Sequence, residues 1–208
     1  AALPPVVEGA LAEIQAMLDT AMQKACKEVH EAAIAMTGKG GRMGTTMDIL
    51  LQVGNTAFIA HVGDGRIYLI RGGEIHQLTQ DHTLAAQQAE SGQPVGDMGG
   101  RNVITRALGV FPNVLVDALH FDLDVGDRIV VCSDGMYRYI EEGEITQEVP
   151  KGGVAQVVEL AARDGVVARV DVDGERGEAV LASISHRVDA VILVAFVLRV
   201  RFARSLLQ

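Results

Sequence analysis

A chain of 208 residues of which 49% are hydrophobic fits one domain and has enough apolar surface to build a packed core. Its 27 acidic residues outnumber 18 basic ones, and the net charge of -9 disfavours attachment to nucleic acid or to anionic lipid. Ala190–Leu198, the longest apolar run, is too short to cross a bilayer as a helix, and the start shows no cationic stretch leading into an apolar signal core, so no membrane insertion and a cytoplasmic location are expected.

Pro4 and Pro5 predict an extended start. From Val7 to Met36, apolar residues recur at Leu11, Ile14, Leu18, Met22, Ala25, Val29, Ala32 and Met36, the spacing of one buried helical face, with Met17, Met22 and Met36 as core filler. Gly38, Gly40 and Gly41 end that helix. Next come a strand over Thr45–Val53, a tight turn at Gly54-Asn55, a strand over Ala57–Val62, a strand over Arg66–Arg71, a turn at Gly72-Gly73 and a strand over Glu74–Leu78. Strand and turn alternating in this way make an antiparallel meander. Thr83–Glu90 reads as a short helix capped by Asp81, and the same capping geometry accounts for His82. Asn102–Leu108 reads as a strand, and Val114–Leu123 with Asp127–Ser133 as a hairpin. Glu141–Val149 is a short polar stretch, Gly153–Arg163 a second amphipathic helix and Val166–Gly177 an exposed loop or hairpin. Glu178–His186 reads as a third helix and Val188–Val200 as the last strand. Clustered strands with flanking helices give an α+β class of two packed antiparallel sheets.

The chemistry gathers where two apolar strands each deliver an aspartate beside glycine: Asp134 after Ile129–Ser133, and Asp64 between Gly63 and Gly65. Two such strands can aim both carboxylates at one oxygen-lined site of the kind that magnesium, manganese or calcium prefers, although two carboxylates make only part of a site. An Asp-Gly pair after a strand is also a common turn, and that reading stands beside the first. His61, inside an apolar strand, reads as a satisfied core histidine. Ser133 has no base near it in sequence, and Arg66, Arg101 and Arg106 read as ion-pairing residues before phosphate clamps. Cys26 and Cys132 read as small core residues, with a disulfide between them left open.

Several segments in order resemble one family, the metal-dependent protein serine/threonine phosphatases of type 2C (PPM), in its bacterial form. They are Met43-Gly44-Thr45-Thr46, Ala60–Leu69, Gln77–His82, Asn102–Gly109 and Asp127–Gly135. The resemblance covers residues 43 to 149 best, with 1 to 42 as an N-terminal segment and long helix and 150 to 208 as a divergent remainder of one domain. It implies an α/β/β/α sandwich and two manganese or magnesium ions whose bridging water attacks a phosphoryl group. By that likeness Asp134 is a core metal ligand and Asp64 helps hold an additional metal.

Departures from the family pattern set a further expectation. The arginine and acidic motifs that the family carries before the long helix have no counterpart in residues 1 to 10, where Glu8 is the one acid. The family's closing Asp-Asn pair falls by register on Arg187 and Val188, with Asp189 one residue away and so turned to the other face of the strand. Gly65 replaces the usual serine. The expected protein is therefore a partly degenerate, phosphatase-like domain with reduced or absent metal binding, which engages a phosphoprotein or signalling partner. The alternative is an active phosphatase whose missing ligands lie in an absent N-terminal segment or a partner chain, with Asp189 or Asp164 standing in for the last aspartate.

Overall fold

The structure, a computed structural model, describes residues 8–38, 44–92, 103–148, 167–171, 179–185 and 193–200. Helix α1 (Glu8–Thr37) is followed by strands β1 (Thr46–Val53), β2 (Thr56–Val62), β3 (Arg66–Arg71) and β4 (Glu74–Gln77), then by helix α2 (Leu84–Glu90). Strands β5 (Asp117–Asp122) and β6 (Arg128–Cys132) lead into short helices α3 (Asp134–Tyr137) and α4 (Glu142–Glu148), and β7 (Val167–Asp171), β8 (Ala179–Ser185) and β9 (Leu193–Val200) complete the described chain.

Two sheets result, with strand orders β5-β2-β1-β9 and β4-β3-β6-β8-β7. The turn at Gly54-Asn55, with Gly54 at φ 62, sets Val53 opposite Thr56 and thereby fixes the whole β1–β2 register. Because strand side chains alternate, that register sends Met47, Ile49, Leu51, Phe58, Ala60 and Val62 to one face, where Leu18, Met22 and Cys26 of α1 cover them. The opposite face carries Leu50, Ala57 and Ile59 against Ile67, Leu69, Ile129 and Val131 of the other sheet. Tyr68, Ile70, Val130 and Cys132 point outward from that second sheet and pack on Met136, Ile140 and Ile145 of the α3–α4 region. Helix, sheet, sheet and helix thus stack in four layers, with three buried apolar clusters between them.

The α+β two-sheet architecture is as expected, but the pairing is not wholly antiparallel: β9 joins β1, and β8 joins β6, in parallel. Glu178–His186, expected as a helix, contains strand β8, whose short apolar run suits either state and is decided by the open edge of β6. Val166–Gly177 contains β7, the hairpin partner of β8. Asn102–Leu108 forms no strand in its described part; Ile104 and Leu108 make single bridges to Thr83 and Thr45. Helix α2 is capped by the Thr83 side chain, which accepts from the Ala86 amide, and Asp81 is turned away to Arg66. On α1, Met22 is fully buried, whereas Met17, one position off the apolar stripe, and Met36, past the last buried position Ala33, are exposed. The Gly153–Arg163 helix lies outside the described residues. Both cysteines are buried and free, so the disulfide is not formed. No helix among the described residues is long and apolar enough to cross a membrane.

Candidate active site

Asp134 opens α3 directly after β6, and Asp64 sits in the Gly63–Gly65 turn just before β3; since β3 and β6 are antiparallel neighbours with Arg66 opposite Cys132, both carboxylates stand at the same end of that sheet. The two feel each other: burial, then the negative charge of Asp134, pushes the Asp64 carboxyl up to about 6, partly offset by Arg138. Arg138 Nη2 lies 2.9 Å from Asp134 Oδ2 and occupies one face of that carboxylate.

The backbone of the Asp64 turn is held at every residue. His82 donates its amide to Gly63 O at 2.7 Å and accepts the Gly63 amide on Nδ1 at 3.0 Å, while Tyr137 Oη donates to Asp64 O at 2.9 Å and Thr79 Oγ1 to Gly65 O at 3.3 Å. Gly63 takes φ 125, and a Cβ there would come within 3.2 Å of Thr46 Cα and closer to its side chain, so glycine is required twice over. Since His82 Nδ1 accepts, Nε2 carries the ring proton and donates to Asp117 Oδ2 at 2.9 Å. Burial lowers the His82 pKa more than Asp117 raises it, which keeps the ring neutral. Asp117 also pairs with Arg106, and these two contacts outweigh burial and depress its pKa.

A groove of about 620 Å³ is lined by Arg66, Asp81, Ala86, Ala89, Tyr137 and Arg138, the last two on and just after the helix that Asp134 opens. Arg66 grips Asp81 with Nε and Nη2 at 2.9 and 2.7 Å and lies 3.7 Å over the Tyr137 ring. Arg66 and Arg106 are thus ion-paired, as the sequence indicates, and Arg101 lies outside the described residues. Ser133 Oγ is buried without a hydrogen-bond partner among the described residues, and burial drives the Cys132 thiol pKa far up, so neither is an activated nucleophile.

Asp64 and Asp134 stand at the same end of the sheet, but they do not by themselves make a divalent-metal centre. Among the described residues no group of three His, Cys, Asp or Glu side chains is placed to hold a metal, and one of the two carboxylates is shared with Arg138. Arg187, Val188, Asp189 and Asp164 lie outside the described residues. His82 is not explained by helix capping: its ring is a bridge between the Asp64 turn and Asp117. His61 is a satisfied core histidine, but its partner Asp48 escaped the sequence reading. The signal was available, because a two-residue turn at Gly54-Asn55 pairs Asp48 with His61 across the hairpin.

Comparison with known proteins agrees with this architecture. The family model for protein phosphatase 2C matches residues 7–91. Protein phosphatase PhpP of Streptococcus pneumoniae is 37% identical over 116 residues, 52% of this chain and 47% of that protein. The serine/threonine phosphatase of S. agalactiae superposes with a TM-score of 0.66 at 28% identity, over 74% of this chain and 67% of that one. The catalytic domain of the phosphatase PstP, solved with two manganese ions, superposes with a TM-score of 0.60 at 30% identity, over 73% and 66% of the two chains. The chain spans about half the length of the curated relatives it matches. In sequence over its first half and in fold over about three quarters of its length, the chain is similar to the bacterial type 2C (PPM) serine/threonine protein phosphatases.

Proposed function

We propose that this chain forms the Asp64 and Asp134 side of a manganese- or magnesium-dependent phosphatase acting on phosphoserine and phosphothreonine in proteins, in the cytoplasm. In this reading further oxygen ligands complete the metal site. The observation that carries the reading is the placement of Asp64 and Asp134 at one end of the β3–β6 pair, close enough for the charge of Asp134 to raise the Asp64 pKa, with Tyr137 and Arg138 leading from them to a groove. Two carboxylates repel a phosphate dianion unless positive charge stands between them, so the pair suits phosphoryl chemistry only with cations present. The chain's own contribution is to hold both carboxylates at fixed positions and to keep Arg66 and Arg138 beside them.

A second reading rests on a specific contact. The Arg138–Asp134 pair neutralises the carboxylate that a metal would need, which suits a phosphatase-like domain that binds phosphoproteins without hydrolysing them. Hydrolysis of a phosphothreonine peptide by the native full-length protein, with manganese, magnesium or chelator, separates the two. Metal-dependent turnover that falls at least about a hundredfold in Asp134→Asn supports the enzyme. No turnover from folded protein under any of these conditions overturns it in favour of the binding role.

A further inference from the structure

The space between the sheets holds a carboxylate that the family likeness leaves without a role. Asp48 on β1 has a completely buried side chain, and its Oδ1 lies 2.5 Å from Nδ1 of His61, its cross-strand partner. The other nitrogen of His61, Nε2, lies 3.0 Å from Gln80 O. A carbonyl oxygen only accepts, so Nε2 carries a proton, and Nδ1 of a neutral ring would then face a carboxylate oxygen as a second acceptor. One further proton must therefore lie on the Asp48–His61 axis. Burial opposes a charged His61, but the hydrogen bond and charge of Asp48 outweigh it, and the pKa of the ring is raised.

Asp48 is also bound up with residue 65. A Cβ built on Gly65 would lie 2.9 Å from Asp48 Cγ and closer still to Oδ2, so the carboxylate fills the volume that a side chain at 65 would need. Oδ2 has no hydrogen-bond partner among the described residues and rests against Gly65. Asp48 thus meets the Asp64 turn at both ends, through His61 on the way in and at Gly65 on the way out. From His61 the contacts continue to Gln80 O and to the His82 ring, whose centroid is 4.6 Å away and which holds Gly63.

We propose that Asp48, sharing a proton with His61 in the space left by Gly65, is the positioning residue that fixes the turn carrying Asp64. The proposal rests on the reading of Asp64 as a functional carboxylate, and its test keeps the two apart. In the native full-length protein, 15N shifts of the His61 ring report its protonation, and amide exchange at Gly63, Asp64 and Gly65 reports how firmly the turn is held. Asp48→Asn keeps the volume but cannot hold the shared proton. It should return His61 to a neutral ring and speed exchange in the turn about tenfold or more, with Ile59 and Val130 unchanged. Gly65→Ser should break the Asp48–His61 contact, and Asp48→Ala with Gly65→Ser should restore folding stability without restoring the slow exchange.

If Gly65→Ser does not fold while the double variant does, the shared volume is supported. Turn exchange in Asp48→Asn within about twofold of the wild type overturns the proposal, as does an intact Asp48–His61 signature in Gly65→Ser. Phosphopeptide hydrolysis is followed in parallel. Its absence in the wild type removes the phosphatase role of Asp64 alone, and the exchange data then still decide whether Asp48 fixes the turn.

Discussion

Replacing Arg66 by lysine keeps the charge and removes the geometry, which makes it a direct measure of what the planar guanidinium contributes. Arg66 makes two bonds to Asp81, a third through Nη1 to Tyr68 Oη at 3.1 Å, and a stacked contact on Tyr137. The Arg66 and Asp81 side chains are 23% and 14% exposed, so solvent screens the pair only in part. Lysine offers a point charge that can satisfy one carboxylate oxygen and cannot stack in the same way. Losing one charge-assisted bond costs about 1.5 kcal/mol at the low end for such contacts, and losing the stacking about 0.5 kcal/mol more, a total of about 2 kcal/mol. Urea unfolding followed by far-UV circular dichroism should show the midpoint falling by roughly 1 M at an unchanged slope of about 2 kcal/mol/M. Asp81→Asn combined with Arg66→Lys should cost less than the two single changes added together. A midpoint within about 0.2 M of the wild type would refute the reasoning, because the four contacts of the guanidinium would then carry no net stability beyond what lysine supplies.

Asp127 is held by Arg71 Nε and Nη2 at 2.8 and 2.6 Å, contacts that outweigh burial and depress its pKa. A depressed carboxylate stabilises above its ordinary value of about 3.9 and loses that contribution as pH falls through the folded value. Asp127→Asn should therefore lower stability by about 1 kcal/mol at pH 7, and the gap should close in urea titrations run below about pH 4; a gap independent of pH would count against the ion pair. Phe58, fully buried beneath α1, should cost about 3 to 5 kcal/mol as alanine and lower the thermal midpoint by about 10 °C, and a shift under about 3 °C would mean that α1 does not seal that face. Thr83→Ala should cost about 1 kcal/mol and speed exchange of the Ala86 amide, while unchanged exchange would discount the cap.

The hairpins β1–β2 and β3–β4 were legible because each turn carries glycine at the required place. The single meander expected from them is divided between the sheets, β2 and β3 not pairing with each other, and the expected β5–β6 hairpin is divided in the same way, β5 pairing with β2 and β6 with β3. The Asp64 and Asp134 positions were legible for a related reason: an apolar strand that stops at Asp beside Gly has few places to put the carboxylate except its C-terminal rim. Asp48 was missed because a single acid in Thr46–Val53 looks like a surface position until the partner strand is laid beside it. Its identity as a buried acid is a property of the pair, not of the strand. Strand β8 was misread because seven small and apolar residues have no period that separates helix from strand, and the choice is made by an edge about fifty residues earlier in the chain. Asp81 was given to the wrong task because capping is a local rule, and Arg66 made a stronger offer across the fold.

The parallel seating of β9 on β1 bears on the order in which the chain can assemble. Thr46 waits for Leu193 as its neighbour, whereas Val53 meets Thr56 across a two-residue turn, so one side of β1 is satisfied almost at once and the other only after β9 has been made. During that interval the nascent protein presents a naked, apolar strand border, a template that another chain can occupy. Translation speed and chaperone attendance between the making of β2 and of β9 then bear on how much of the protein arrives intact.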